Sequence, residues 1–129
     1  MADNLSSGVA NSVLAALLNG TPFSGFSPVY VQLHTGAPGA AGTANVAGNN
    51  VRQSAGSFAT PSGGLTTNAA PINWTSVSTS ETYSHVTLWS ATSGGTFIAS
   101  GAITASAILA GQNFQIPTNG MSVSIPVAS

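Results

Sequence analysis

Charge is what this chain most lacks. Among 129 residues there is one basic side chain and two acidic ones, so charged residues make up 2% where an ordinary soluble domain carries about 25%. They are Asp3, Arg52 and Glu81, and lysine is absent. A nucleic-acid partner is excluded on that ground, because phosphate neutralisation needs a cluster of Lys and Arg. Cysteine is also absent, which removes disulfides and thiolate metal sites. The longest apolar run, around residues 13–18, is far short of the roughly 20 residues a membrane-crossing helix needs. The N-terminus has no basic segment of the secretory type, so no membrane partner and no export are expected.

What the chain does have is apolar content: hydrophobic residues are 43%, with Trp74 and Trp89 among them. Disordered chains are poor in such residues and rich in net charge, so a packed core is expected. The length suits one domain over residues 1–129. A formal net charge of −1 gives copies of the chain little reason to repel one another. A surface covered by further copies, or by a partner, follows.

Leu5, Val9, Val13 and Leu17 recur every four residues, with Leu14 and Leu18 widening the stripe. This predicts an amphipathic helix over 5–19, capped by Ser6 or Ser7 and stopped by Asn19-Gly20. Its stripe has two uses, packing on its own sheet or docking on a neighbour. Beyond Gly20 the period changes to two. Val29, Val31 and Leu33 alternate with Tyr30, Gln32 and His34, as in a half-buried strand. Residues 36–50 then carry four glycines and no periodicity, which predicts a long arm that becomes ordered against a neighbour. Further strands are expected near 51–59, 65–75, 82–90, 95–104, 111–116 and 121–127, the last an edge strand because Pro126 cannot donate to a ladder. The fold class is mainly β: a single antiparallel β-sandwich or barrel-like domain over 29–127, with one short N-terminal helix and a long glycine-rich arm.

Chemistry has little to work with. Glu81 and His85 would neighbour each other on a helix, but Thr82, Tyr83, Val86, Thr87 and Trp89 favour a strand, and Ser93-Gly94-Gly95 turns it into a hairpin. On a strand the two side chains stand roughly 13 Å apart, too far for a dyad. Strict alternation puts Tyr83, His85, Thr87 and Trp89 on one face and Ser84, Val86 and Leu88 on the other. His34 and His85 lack a third metal ligand, no GxSxG or phosphate loop is present, and no catalytic, cofactor or metal residues are expected. Trp74, Trp89, Tyr30 and Tyr83 could stack on sugar rings, although core packing is the simpler use of both tryptophans.

The segments YVQLHTGAPG (Tyr30–Gly39), INW (Ile72–Trp74), ETYSHVTLW (Glu81–Trp89) and SGGTFIASG (Ser93–Gly101) resemble small virion proteins of tailed phages of high-GC Gram-positive hosts, variously labelled minor capsid, minor tail or tail-fibre proteins. The resemblance implies a non-enzymatic structural role in the virion, after synthesis in the host cytoplasm. The first expectation is a capsid decoration protein cementing the major capsid protein as a homotrimer. The alternative is a minor tail or fibre component bound to other tail proteins and touching host glycans. Candidate assembly contacts are Leu5, Val9, Val13 and Leu17 on the helix and Pro38, Asn45 and Asn49 on the arm.

Overall fold

The computed structural model describes residues 4–128, so Asp3 lies outside the described residues. Helix α1 spans Ser7–Asn19. Ser6 is its N-cap, with Oγ accepting the Val9 N–H at 3.2 Å. Gly20 closes it at φ 65°, a left-handed conformation that costs glycine nothing, and donates its N–H to the Ala15 carbonyl. Leu5 does not belong to the helix as expected. Ser6 is extended and its N–H bonds the Ile98 carbonyl at 2.8 Å, so Asn4–Leu5 forms a short strand, β1.

The remaining strands are β2 (Tyr30–His34), β3 (Gln53–Ser54), β4 (Leu65–Thr67), β5 (Ile72–Trp74), β6 (Glu81–Trp89), β7 (Phe97–Ile108), β8 (Phe114–Ile116) and β9 (Ser122–Ser124). Five of them make an antiparallel sheet in the order β1-β7-β6-β2-β3, and two ribbons, β4-β9 and β5-β8, complete the structure. The ribbons face the sheet across a shared core that includes Leu33, Trp74, Val86, Leu88, Phe114 and Met121. This is a mainly β, layered, antiparallel fold, and the strands among the described residues do not close into a barrel.

Three departures from the expected strands have local causes. The 65–75 run breaks in two at Asn68, a buried residue whose Nδ2 donates to the Ala70 and Pro117 carbonyls while its Oδ1 accepts the Met121 N–H. That side chain stands in for a ladder and sends β4 and β5 into different ribbons. Pairing in 51–59 shrinks to β3 plus one isolated bridge, Phe58 to Asn68. Strand β7 runs on past residue 104 to Ile108 because it accommodates extra residues relative to β6, between the Tyr83–Ser106 and His85–Ala102 pairs and again at Ile98.

The first of those bulges also breaks the alternation expected of β6. Tyr83 packs in the core against Phe114, ring centroids 5.0 Å apart, together with Val86 and Leu88. His85 instead pairs with His34 across the strands, and Thr87 hydrogen-bonds the His34 ring. Tyr83 therefore leaves the face that His85 and Thr87 share.

Residues 36–50 form a long segment without strands, but it closes on itself. Ala44 N–H reaches the Pro38 carbonyl at 2.9 Å, Asn45 Nδ2 the Ala37 carbonyl at 2.9 Å, and Thr35 N–H the Asn45 carbonyl at 2.9 Å. Internal hydrogen bonds supply what apolar area could not, with Asn45 in the left-handed region at φ 54°. At Gly42 a Cβ would come within 2.8 Å of the Phe97 ring, so the loop lies tight over the outer face of the sheet and only glycine fits there. The arm expected to reach a neighbour is in this structure a lid on its own domain.

Candidate functional site

Each charged or imidazole group of the described residues can be followed to its partners. Glu81 begins β6, and both its carboxylate oxygens accept the Gly48 N–H, at 2.6 and 2.9 Å. His85, four residues on, shares a hydrogen bond of 2.8 Å between Nδ1 and Ser84 Oγ. Glu81 is thus held by a loop amide and His85 by its sequence neighbour, and neither is poised against the other.

His34 is fully buried at the end of β2. Its Nδ1 lies 2.8 Å from the Ala44 carbonyl, which can only accept, so Nδ1 carries the proton and donates it there. Nε2 must then accept from Thr87 Oγ1, also at 2.8 Å, and Thr87 Oγ1 in turn accepts the Trp89 Nε1–H at 2.8 Å. The relay runs Trp89 to Thr87 to His34 to Ala44, and each donor in it meets one acceptor. It requires a neutral imidazole. Burial, reinforced by electrostatic repulsion from neighbouring groups including Arg52, holds the His34 pKa below its ordinary 6.5, against the opposing pull of the backbone at Ala44 and Asn45.

Arg52 completes this face. Its guanidinium carbon sits 4.1 Å above the Trp89 ring. Nη1 donates to the carbonyls of Ala91 and Gly94, each at 2.8 Å, which pins the β6–β7 turn. Nothing in this arrangement offers a free nucleophile, a free carboxylate or a third metal ligand: no group of three His, Cys, Asp or Glu side chains gathers anywhere among the described residues.

The aromatic candidates for sugar stacking are built into the interior. Trp74 is buried with Nε1–H donated to the Val51 carbonyl at 2.9 Å, Tyr83 and Trp89 are buried, and Tyr30 is half-buried.

The assembly candidates separate into three groups. Val9, Pro38 and Asn49 are buried within the chain, Val13 and Leu5 half-buried, and only Leu17 and Asn45 are exposed. The helix stripe thus divides: Val9 and Val13 turn inward, while Leu14, Leu17 and Leu18 stand 54%, 72% and 78% exposed. Leu14 and Leu18 were part of the periodic pattern but not of the expected contacts. A feature that sequence reasoning missed altogether is an apolar dimple of about 170 Å³ lined by Phe26, Val29, Phe58, Leu88, Ile98 and Val123, with Thr66 at its edge. It joins residues from loops and from both layers, and no spacing in the sequence announces it.

The charged and imidazole groups are held by their own chain and several large apolar side chains are left outside, in a chain whose four segments resemble phage structural proteins. Residues 4–124 match the family described as podophage GP4 fiber I protein gp80, and the chain belongs to that family. No curated protein matches it.

Proposed function

We propose that this chain is a non-catalytic fibre component of a phage virion that works by associating with copies of itself and with other tail proteins. The observation that carries the reading is the inversion of an ordinary surface. Arg52 and Glu81, both half-buried, are tied by hydrogen bonds to backbone groups of their own chain, while Leu14, Leu17, Leu18, Leu109 and Val127 stand in solvent. Such a surface neither steers a charged substrate nor keeps copies apart. Capsid decoration, the first expectation, rests on size and low charge, which a fibre component shares. The fibre description of the family favours the alternative, and the fibre reading takes its place.

The test is location in the particle. Gold-labelled antibody against this chain should decorate the fibres of intact virions in electron micrographs. Label spread evenly over the head would overturn the proposal in favour of decoration.

A further inference from the structure

The loop over residues 36–50 takes the place of a strand. On the side of β2 away from β6, strand β3 pairs only with Tyr30 and Val31. Beyond them the loop fills the same edge: Ala47 N–H reaches the Leu33 carbonyl at 3.0 Å, Val46 bridges to His34, and Thr35 N–H reaches the Asn45 carbonyl at 2.9 Å. His34 is therefore closed in by β6 on one side and by the loop on the other, with the Ala44 carbonyl 2.8 Å from Nδ1. Glu81 makes a second tie, from the start of β6 to the Gly48 N–H. We propose that residues 42–48 are an acid-released latch: protonation of His34 frees them from the domain while the five-stranded sheet stays folded.

The closed loop leaves no place for that proton. Nδ1–H already donates to Ala44, so a second proton must go to Nε2, which now accepts from the Thr87 hydroxyl. Thr87 Oγ1 would then have to accept from Nε2 and turn its own hydrogen elsewhere, and its hydrogen bonds run only to His34 and Trp89. The new cation would be fully buried. The groups that face it are His85, paired with it on β6, and Arg52, whose charge opposes it; the carboxylate of Glu81 is engaged with Gly48. Strand β6 cannot withdraw, because it lies between β2 and β7 in the middle of the sheet. The loop can, at the cost of the few bonds named above, and local opening takes that route. Closed, the imidazole takes a proton less readily than in water; open, it recovers its ordinary value near 6.5. The proton thus binds the open form more tightly, so opening is unassisted above about pH 6.5 and gains up to about tenfold per pH unit below it. Release frees the edge of β2 that the loop now pairs, and lifts Gly42 from the Phe97 ring.

Amide exchange of the wild-type chain, each rate divided by that of the same amide in an unfolded peptide, reads the opening directly. The Thr35 and Ala47 amides should exchange through an opening that is less protected and less sensitive to urea than that of Val86 in the middle of the sheet. Between about pH 7.5 and 5.5 this opening should become severalfold more populated, by up to about tenfold. His34→Gln offers one donor and one acceptor but no site for the extra proton, and should abolish the gain. His85→Gln and Glu81→Gln, the latter keeping an acceptor for Gly48, should retain it. Exchange of Thr35 and Ala47 only together with Val86, a local opening indifferent to pH, or a gain that survives His34→Gln would each overturn the latch. Should His34→Gln fail to fold, the other two variants decide: loss of the gain in either places the sensor elsewhere and overturns the assignment to His34. None of these outcomes bears on where gold label falls on the virion, so this proposal and the fibre assignment fail separately.

Discussion

Replacing Thr87 with valine keeps the shape of the side chain and removes one oxygen. In this structure that oxygen is the centre of the Trp89–Thr87–His34 relay, donating to His34 Nε2 and accepting from Trp89 Nε1, both at 2.8 Å, with Thr87 and His34 fully buried. Two buried polar atoms lose their partners at once. Each such loss costs about 1–3 kcal/mol, and because valine leaves no cavity, the sum of roughly 2–6 kcal/mol is not inflated by a packing defect. For a domain of this size that corresponds to a fall in melting temperature on the order of 10 °C. The control is Thr87→Ser, which keeps the hydroxyl and gives up only a methyl group, and should cost about 1 kcal/mol. Thermal and urea denaturation followed by tryptophan fluorescence would read both. If the valine variant melts with the wild type, or above the serine variant, the relay does not stabilise the fold and the reasoning fails.

The remaining expectations use the same kinds of measurement. His34 is held neutral with its pKa below 6.5, so the unfolded chain takes up this proton first as pH falls; stability should be full above about pH 6.5 and decline below it, by at most about 1.4 kcal/mol per pH unit for one proton, and the His34→Phe variant should lose that part of the slope in urea titrations across pH 5–7. Arg52→Lys keeps the charge but not the planar guanidinium stacked on Trp89, whose Nη1 reaches both the Ala91 and Gly94 carbonyls, and should cost about 1 kcal/mol in urea denaturation. The Tyr83 hydroxyl is buried without a hydrogen-bond partner, so Tyr83→Phe should leave the melting temperature unchanged or raise it; a clear loss would reveal a partner. Assembly should withstand about 1 M salt, where the screening length is roughly 3 Å, and dissociation by salt alone in sedimentation would contradict an apolar interface.

Periodicity carried most of the fold. The four-residue spacing of Val9 and Val13 and the caps at Ser6 and Gly20 located the helix, and the alternation of Val31 and Leu33 located β2. Sequence spacing failed where side chains act in place of backbone. Asn68 replaces ladder bonds at the corner between β4 and β5, and a bulge in β7 moves Tyr83 to the opposite face from His85. Neither effect has a period. The loop over 36–50 failed for a related reason: low apolar content argues against folding only when hydrogen bonds go unmade, and here the bonds among residues 35–45 are made internally. Of the candidate contacts, Leu17 could be read from the sequence as part of a stripe, but its separation from Val9 depends on which side of α1 the sheet covers.

The scarcity of charge then has a physical account at the level of individual residues. Arg52 stacks its planar guanidinium on Trp89 while its Nη1 bridges two carbonyls of the β6–β7 turn. Glu81 is retained because a carboxylate gathers the Gly48 amide and so ties the loop over residues 36–50 to the start of β6. Both remain partly exposed, and both are tied to backbone groups of their own chain. A freely diffusing monomer gains solubility from such charge, whereas in an assembly each charge at a contact would have to be stripped of water. On the proposed reading the same condition accounts for leucines at 17 and 18 on the outside of a helix: they are exposed in the isolated chain, and a contact with another chain would end that exposure.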